Sequence, residues 1–179
     1  MSVRKATVND AGEVSALAQR IQVDKTDRTK GFLVYALSPQ AYEERILLSN
    51  LFYVYEENNH IDGFLMCYTD KELDELIRRG KLNHEYGIIR NISHRDRPFI
   101  FGDQIGILPE FNRMGIGRKL MNALFLDMKN KRITKMYVAI LHHPYMNSPS
   151  YHFFTHFNFK KIEEVMNKDG LVWGIYEHI

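Results

Sequence analysis

The stretch from Asp103 to Asp127 is DQIGILPEFNRMGIGRKLMNALFLD, and its pattern decides how the rest of the chain is interpreted. It begins with an apolar run and turns at Pro109-Glu110. Beyond the turn, apolar residues recur at helical spacing, at Ile116, Leu120, Met121, Leu124, Phe125 and Met128. The sequence therefore predicts a strand, a polar loop and a helix in succession.

Two glycines, Gly115 and Gly117, stand just before the predicted helix. Glycine lets the backbone come close to a ligand, and the first turn of a helix offers unpaired N–H groups at the positive end of the dipole. This arrangement suits a phosphate or pyrophosphate, and Arg113 and Arg118 add positive charge beside it. The alternative is a glycine-rich turn before a surface helix.

Two familiar phosphate-binding loops fit these residues poorly. A P-loop requires Gly-Lys-Ser or Gly-Lys-Thr, whereas Gly117 is followed by Arg118, Lys119 and Leu120. The dinucleotide-binding fingerprint requires a third small residue at the position of Leu120. A different kind of phosphate loop is therefore predicted.

The segment resembles the acyl-CoA loop of the GNAT N-acetyltransferases. In that family a strand ending in aliphatic-x-Pro is followed by Gln/Arg-x-x-Gly-x-Gly/Ala and a helix, and here residues 112–117, NRMGIG, occupy the motif. Asn112 replaces the usual Gln or Arg, which removes one side-chain contact but leaves the backbone of the loop intact. The spacing from Ile107 to Gly115 and the proline at 109 favour this interpretation over a plain turn.

The resemblance implies acetyl-CoA as co-substrate and assigns residues to its binding. The backbone of the strand before the loop would pair with the pantetheine arm and present an N–H to the thioester oxygen. The residues so implied are Ile105, Gly106 and Ile107 in the strand, and Arg113, Met114, Gly115, Ile116, Gly117 and Arg118 in the loop and first helical turn.

A second family motif, Asn-x-x-Ala-x-x-Phe-Tyr-x-x-x-Gly-Phe, follows strand five. Residues 147–159, NSPSYHFFTHFNF, keep its frame, which implies that Asn147 and Phe154 also contact the cofactor. Asn158 replaces glycine at the helix end, as a residue that tolerates the left-handed conformation can. Many relatives carry a tyrosine at the position of Phe154 that protonates the departing thiolate. Here Tyr151 or a water would do so, or the thiolate leaves unassisted.

Three side chains are candidates for the catalytic chemistry: His142, Asp103 and Tyr151. His142 lies at the predicted exit of strand five, and histidine titrates in the range that a general base needs. Asp103 alternates onto the strand face of Ile105 and Ile107. A purely structural role is the alternative for each. No His, Cys, Asp or Glu cluster has metal-ligand spacing, so no metal is predicted.

The composition is that of an ordinary soluble protein. The chain has 179 residues, a net charge of +2 and 24 basic against 22 acidic residues, so neither nucleic acid nor a membrane is an expected partner. A single cysteine, Cys67, lies in an apolar run, which suits a reducing compartment. Without an apolar leader or spanning run, a cytoplasmic location is predicted.

The remaining patterns predict one domain over residues 1–179 in the order βααββ, insertion, βαβαββ. The first strand is expected over residues 3–8, and the insertion, at about 71–97, begins with an amphipathic helix. Part of it would form a lid over the acceptor or merely cover a sheet edge. This order matches the GNAT fold, an α/β (α+β) fold with a central mixed, mostly antiparallel six- to seven-stranded sheet flanked by helices on both faces.

The function that the resemblance implies is direct transfer of acetyl from acetyl-CoA to a primary amine of unspecified identity. Acceptor contacts are expected in residues 25–42, 81–97 and 142–146. One alternative is a non-catalytic acyl-CoA-binding sensor or interaction module, and another is a nucleotide-binding regulatory domain. Exposed strand edges would allow a homodimer.

Overall fold

The structure is a computed structural model, which describes residues 2–22, 31–83 and 85–178. Within these ranges the chain forms seven strands and six α-helices. In chain order they are β1 (Ser2–Lys5), α1 (Ala11–Arg20), α2 (Pro39–Leu48), β2 (Phe52–Glu57), β3 (His60–Thr69), α3 (Asp70–Arg78), α4 (Gly87–Ser93), β4 (Phe99–Ile107), α5 (Ile116–Lys131), β5 (Lys135–His143), α6 (Ser148–His156), β6 (Phe159–Met166) and β7 (Val172–His178). Residues 25–30 and 84 of the predicted acceptor segments lie outside the described residues.

The seven strands belong to one sheet in the order β1-β2-β3-β4-β5-β7-β6. β4 and β5 are parallel, whereas the pairs β1 with β2, β2 with β3, β5 with β7 and β6 with β7 are antiparallel. The predicted mixed, mostly antiparallel sheet is therefore confirmed, as is the predicted order of strands and helices.

The chain divides into two compact units. The first unit comprises residues 1–67 and 104–132, and the second unit comprises residues 68–103 and 133–179. Two of the three boundaries fall within β3 and β4, and the third lies between α5 and β5. Each unit has buried apolar residues of its own.

The core of the first unit is built around a fully buried tyrosine of α2. The ring of Tyr42 lies edge-on to Phe52 of β2 and Phe64 of β3, with ring centroids 6.2 and 5.9 Å apart. Ser38 begins the helix that carries this tyrosine, since its side chain accepts a hydrogen bond from the N–H of Ala41 at 3.3 Å. Pro39 follows at the first helical position, where its fixed φ suits the helix.

The first predicted strand is shorter than the expected residues 3–8. β1 stops at Lys5, and a 3-10 turn follows it. The guanidinium of Arg4 donates to both carboxylate oxygens of Asp10 at 2.7 and 2.9 Å, and the N–H of Thr7 donates to the same carboxylate at 2.6 Å. These bonds, that of Arg4 above all, lower the pKa of Asp10 and close the turn that ends the strand.

In the second unit, the insertion contains a helix that the sequence did not predict. Within residues 81–97, α4 buries two isoleucines one helical turn apart, Ile89 and Ile92. The N–H of Ile88 donates to the side-chain oxygen of Asn167 at 3.1 Å, which anchors the helix to the β6–β7 hairpin. Because β6 is an edge strand, this packing favours the interpretation of the insertion as cover for a sheet edge.

A methyl group at Gly106 would test the packing of the first unit. A Cβ there would lie 2.6 Å from Ile21 Cδ1 and 2.6 Å from the fully buried ring of Phe64. We expect Gly106→Ala to lower the free energy of unfolding by about 1–3 kcal/mol, measured by urea denaturation, because a packed core resists added volume.

The matched control is Gly12→Ala in α1, where no atom of the described residues lies within 4 Å of an added Cβ. This change is expected to leave the free energy of unfolding the same or slightly higher. Equal effects of the two substitutions would contradict the close packing around Gly106.

Candidate functional site

The loop between β4 and α5, residues 112–118, is called the cradle loop here. Two of its residues adopt left-handed backbone angles, Arg113 with φ 66° and Gly115 with φ 78°. Gly115 caps the helix, and the first helical hydrogen bond runs from the N–H of Lys119 to its carbonyl at 3.0 Å. The N–H groups of residues 116–118 precede that bond, so they point out of the helix end as an anion site requires.

Positive charge is concentrated at this helix end. The first turn of α5, all of it described, contains no acidic residue, whereas α1 and α3 carry Glu13 and Glu72 in theirs. Arg113 and Arg118 are exposed beside the loop. The ammonium of Lys119 lies 4.9 Å from the ring centre of Tyr55. Because the helix dipole is also positive here, the cradle loop favours an anionic ligand.

Next to the cradle loop, the backbones of β3 and β4 are in close contact. A Cβ at Gly63 in β3 would lie 2.9 Å from Ile116 Cγ2 and 3.1 Å from the carbonyl oxygen of Gly106. The N–H of Leu108 donates to the carbonyl of Asp62 at 2.9 Å. The β2–β3 register shifts at this point, as expected of a bulge near Gly63. The absence of side chains at Gly63 and Gly106 thus allows the start of α5 to pack directly on β3 and β4.

The strand before the cradle loop has two different halves. Its first half pairs with β5 in parallel register, from Phe99 with Lys135 to Gly102 with Val138. The predicted pantetheine-binding residues 105–107 lie in its second half, beyond the last of these pairs. Ile105 and Ile107 are partly exposed there, while Gly106 is buried. Asp103, also partly exposed, lies in the second unit and follows the last pair directly.

In the second unit, both ring nitrogens of His142 have a partner. Nδ1 lies 2.5 Å from a carboxylate oxygen of Glu164 in β6, and Nε2 lies 3.0 Å from the hydroxyl of Tyr176 in β7. The hydrogen bond from His142 lowers the pKa of Glu164. Burial, followed by the proximity of Tyr151, raises the pKa of Tyr176 to about 12, so its hydroxyl keeps its proton.

A glycine allows the imidazole to span three strands. Gly174 in β7 pairs with Ile140 of β5 on one side and with Glu164 of β6 on the other. A Cβ at this position would overlap the ring of His142. Without a side chain there, the imidazole lies across β7 and reaches the carboxylate on the far strand.

The residues of the second motif lie at the start and in the middle of α6. Asn147 caps the helix, since its side chain accepts the N–H of Ser150 at 3.3 Å. Phe154 is buried and lies edge-on to Phe153 and Phe159 at 5.1 and 5.2 Å. The left-handed Asn158 that the sequence predicted is present, with φ 62°.

The structure therefore groups the predicted residues by unit. In the first, the β4 residues and the cradle loop are continuous; in the second, His142 and Tyr151 both adjoin Tyr176, with ring centroids 5.9 and 6.1 Å from it. Sequence reasoning did not identify Tyr176 or Glu164. The available signal was Gly174, since a lone glycine inside a strand pattern indicates close approach by another group.

No group of three or more His, Cys, Asp or Glu side chains among the described residues could hold a metal ion. No helix in the described ranges has the length and apolar character needed to cross a membrane.

A family model described as the acetyltransferase (GNAT) family matches residues 25–159. A comparison with curated protein sequences gives no significant match.

Solved structures share the fold at low identity. Naa50 of Arabidopsis thaliana, in complex with the bisubstrate analogue CoA-Ac-MVNAL, is 11% identical, with 98% of this chain and 96% of that one covered and a TM-score of 0.66. Ard1 from Thermoplasma volcanium is 14% identical, with 98% and 95% covered and a TM-score of 0.68. The ribosomal-protein-S18-alanine N-acetyltransferase from Escherichia coli is 11% identical, with 98% and 91% covered and a TM-score of 0.64.

Gly174→Ala is expected to displace the imidazole of His142. The overlap should cost about 1–3 kcal/mol in the free energy of unfolding, as overpacking does. His142→Ala removes the obstructing ring, so the double variant should lose less than the sum of the two single changes. Urea denaturation of the four proteins measures this coupling, and strictly additive losses would contradict the contact.

Proposed function

The chain belongs to the acetyltransferase (GNAT) family, and from this premise we propose that it transfers acetyl from acetyl-CoA directly to a primary amine, with both substrates bound at once. Membership and fold support acyl-CoA-dependent N-acetyl transfer in general. The observation that carries the proposal is the cradle loop: the N–H groups of residues 116–118 precede the first helical hydrogen bond, Arg113 and Arg118 are exposed in the loop, and the first turn of the helix contains no acidic residue.

The cradle loop is proposed to hold the pyrophosphate of acetyl-CoA. The N–H groups of residues 116–118 would donate to phosphate oxygens, and the flanking cations would add charge-assisted hydrogen bonds. No atom of the described residues lies within 4 Å of a Cβ built at Gly115, which leaves room for a ligand against the backbone.

The second half of β4 is proposed to position the thioester. Residues 105–107 lie beyond the parallel register with β5, so their backbone suits an added strand formed by the pantetheine arm. An N–H directed at the thioester oxygen supplies on the order of 3 kcal/mol of transition-state stabilisation. Holding the amine and the thioester together supplies more, about 7 kcal/mol. Asn147 and Phe154 of α6 are proposed as further contacts of the cofactor.

The proton chemistry is proposed to involve the residues around His142. The attacking ammonium must lose a proton, and the departing thiolate must gain one. Phe154 has no proton to give, so Tyr151 is the proposed acid on α6. His142 and Asp103 are the proposed bases, and His142 has its ring fixed by two hydrogen bonds.

The acceptor class is proposed from the structural neighbours. The Arabidopsis protein was solved with CoA-Ac-MVNAL, and the Escherichia coli protein is by name an alanine N-acetyltransferase of a ribosomal protein. Peptides with a free N-terminus therefore come first in an acceptor screen, followed by polyamines and free amino acids.

Titration calorimetry with acetyl-CoA, CoA and ATP tests the cofactor site. We expect saturable binding of acetyl-CoA and CoA by the wild type, and at least about tenfold weaker binding by Gly115→Trp, because an indole in the loop obstructs the phosphates. The matched control is Gly170→Trp in the β6–β7 turn, which has φ 79° against 78° and the same open surroundings among the described residues.

Each outcome of this titration has a distinct meaning. Equal loss in both tryptophan variants would indicate a folding defect rather than an obstructed site. Preferential binding of ATP would indicate a nucleotide-binding domain instead. Binding of acetyl-CoA without thiol release in the presence of any amine would favour the non-catalytic acyl-CoA-binding module.

A further inference from the structure

A series of hydrogen-bonded polar side chains, with decreasing exposure to solvent, extends across the three C-terminal strands of the second unit. The side chain of Glu164 is 46% exposed, that of His142 is 11% exposed, and Tyr176 is 2% exposed. Each contacts the next at hydrogen-bond distance. This series of side chains therefore connects solvent with the hydroxyl of the buried Tyr176.

The chemistry of the two hydrogen-bond partners of His142 determines which atoms in this series carry protons. A carboxylate only accepts, so Nδ1 of His142 carries the hydrogen and donates to Glu164. In a neutral imidazole Nε2 then has the lone pair, and the hydroxyl of Tyr176 donates to it. Since both ring nitrogens are occupied, His142 exchanges a proton with a substrate only through Tyr176.

The stoichiometry of the proposed reaction requires such a route. An ammonium and a thioester give an amide, a thiol and one free proton. A buried site must deliver that proton to water, and fixed hydrogen-bonded groups transfer it without movement of the backbone.

We propose that Tyr176, His142 and Glu164 form a proton path, with Tyr176 as the inner group that takes the proton from the acceptor ammonium. That proton moves to the Tyr176 oxygen as the tyrosine's own proton moves to Nε2. His142 becomes an imidazolium stabilised by the carboxylate of Glu164. Its Nδ1 proton then leaves to water beside the half-exposed Glu164, and proton exchange with water returns the neutral ring to its Nδ1-protonated form before the next cycle. This inference rests on the proposed function, and it makes Glu164 a positioning residue.

Other titratable groups adjoin the path without interrupting it. Lys161 on β6 donates to the same Glu164 oxygen at 3.3 Å and helps to keep that carboxylate ionised. Tyr151 on α6 packs beside Tyr176, with ring centroids 6.1 Å apart. His143 follows on β5 with an exposed side chain.

Nitrogen NMR of the imidazole tests the geometry independently of catalysis. In the neutral imidazole of the wild-type protein, the proton should be on Nδ1, and the unprotonated Nε2 should accept a hydrogen bond. Glu164→Ala, a change at a half-exposed position, should remove this preference for Nδ1. A wild-type His142 without a proton on Nδ1 would overturn the path.

The kinetic test compares two buried tyrosines. Tyr176→Phe should lower kcat at neutral pH by at least about tenfold, with KM for acetyl-CoA unchanged, because it removes a general base. The deficit should shrink as the pH rises, since an amine that is already neutral needs no base. Tyr137→Phe is the control: Tyr137 is 3% exposed, its hydroxyl donates to Glu177 at 3.1 Å, and burial raises its pKa to about 12.

The outcomes separate this inference from the proposed function. If the wild type transfers acetyl and Tyr176→Phe is no slower than Tyr137→Phe, or is slower by the same factor at every pH, the path is wrong and the function stands. If the wild type transfers acetyl to no amine, both fail together. A deficit that disappears at high pH in Tyr176→Phe, and to a lesser degree in Glu164→Gln, supports the path.

Discussion

The missing side chains of Gly63 and Gly106 are the constraint on which the cradle loop depends. With hydrogen atoms in place of Cβ, the backbones of β3 and β4 approach each other and the first residue of α5 packs directly on them. The carbonyl of Asp62 at the bulge then accepts from Leu108 and fixes the turn out of β4. The helix end is thus positioned by backbone contact, which leaves its N–H groups available to a ligand.

The charge at that helix end opposes stability in the free protein and favours binding. Cations in a first turn repel the positive end of the dipole, by a few tenths of a kcal/mol for each exposed group. A bound pyrophosphate would be attracted both by these cations and by the helix end, so the same charges favour binding. α3, by contrast, begins with a capping box between Thr69 and Glu72, which places a carboxylate at the positive end of its dipole.

Local patterns in the sequence predicted most of the fold, because periodicity, caps and turn residues act over a few positions. The order of strands and helices and the left-handed Asn158 are of this kind. α4 was missed because a seven-residue helix with two buried isoleucines is too short to show a period. The hydrogen-bond partners of His142 were not predicted, for another reason. Glu164 and Tyr176 approach it only through a register shared by three strands, and no local pattern specifies that register.

The position of Phe154 connects the packing of α6 to the placement of the proton chemistry. Its ring lies edge-on to Phe153 and Phe159, and such aromatic pairs contribute about 0.5–1.5 kcal/mol each beyond the area that they bury. Phenylalanine therefore stabilises this aromatic contact. The hydroxyl of Tyr176, by contrast, has a hydrogen-bond partner in His142, and His142 in turn contacts the half-exposed Glu164. Under the proposed function, the acid role that a tyrosine at this position has in many relatives falls to Tyr151, whereas Tyr176 on β7 takes the proton from the acceptor ammonium.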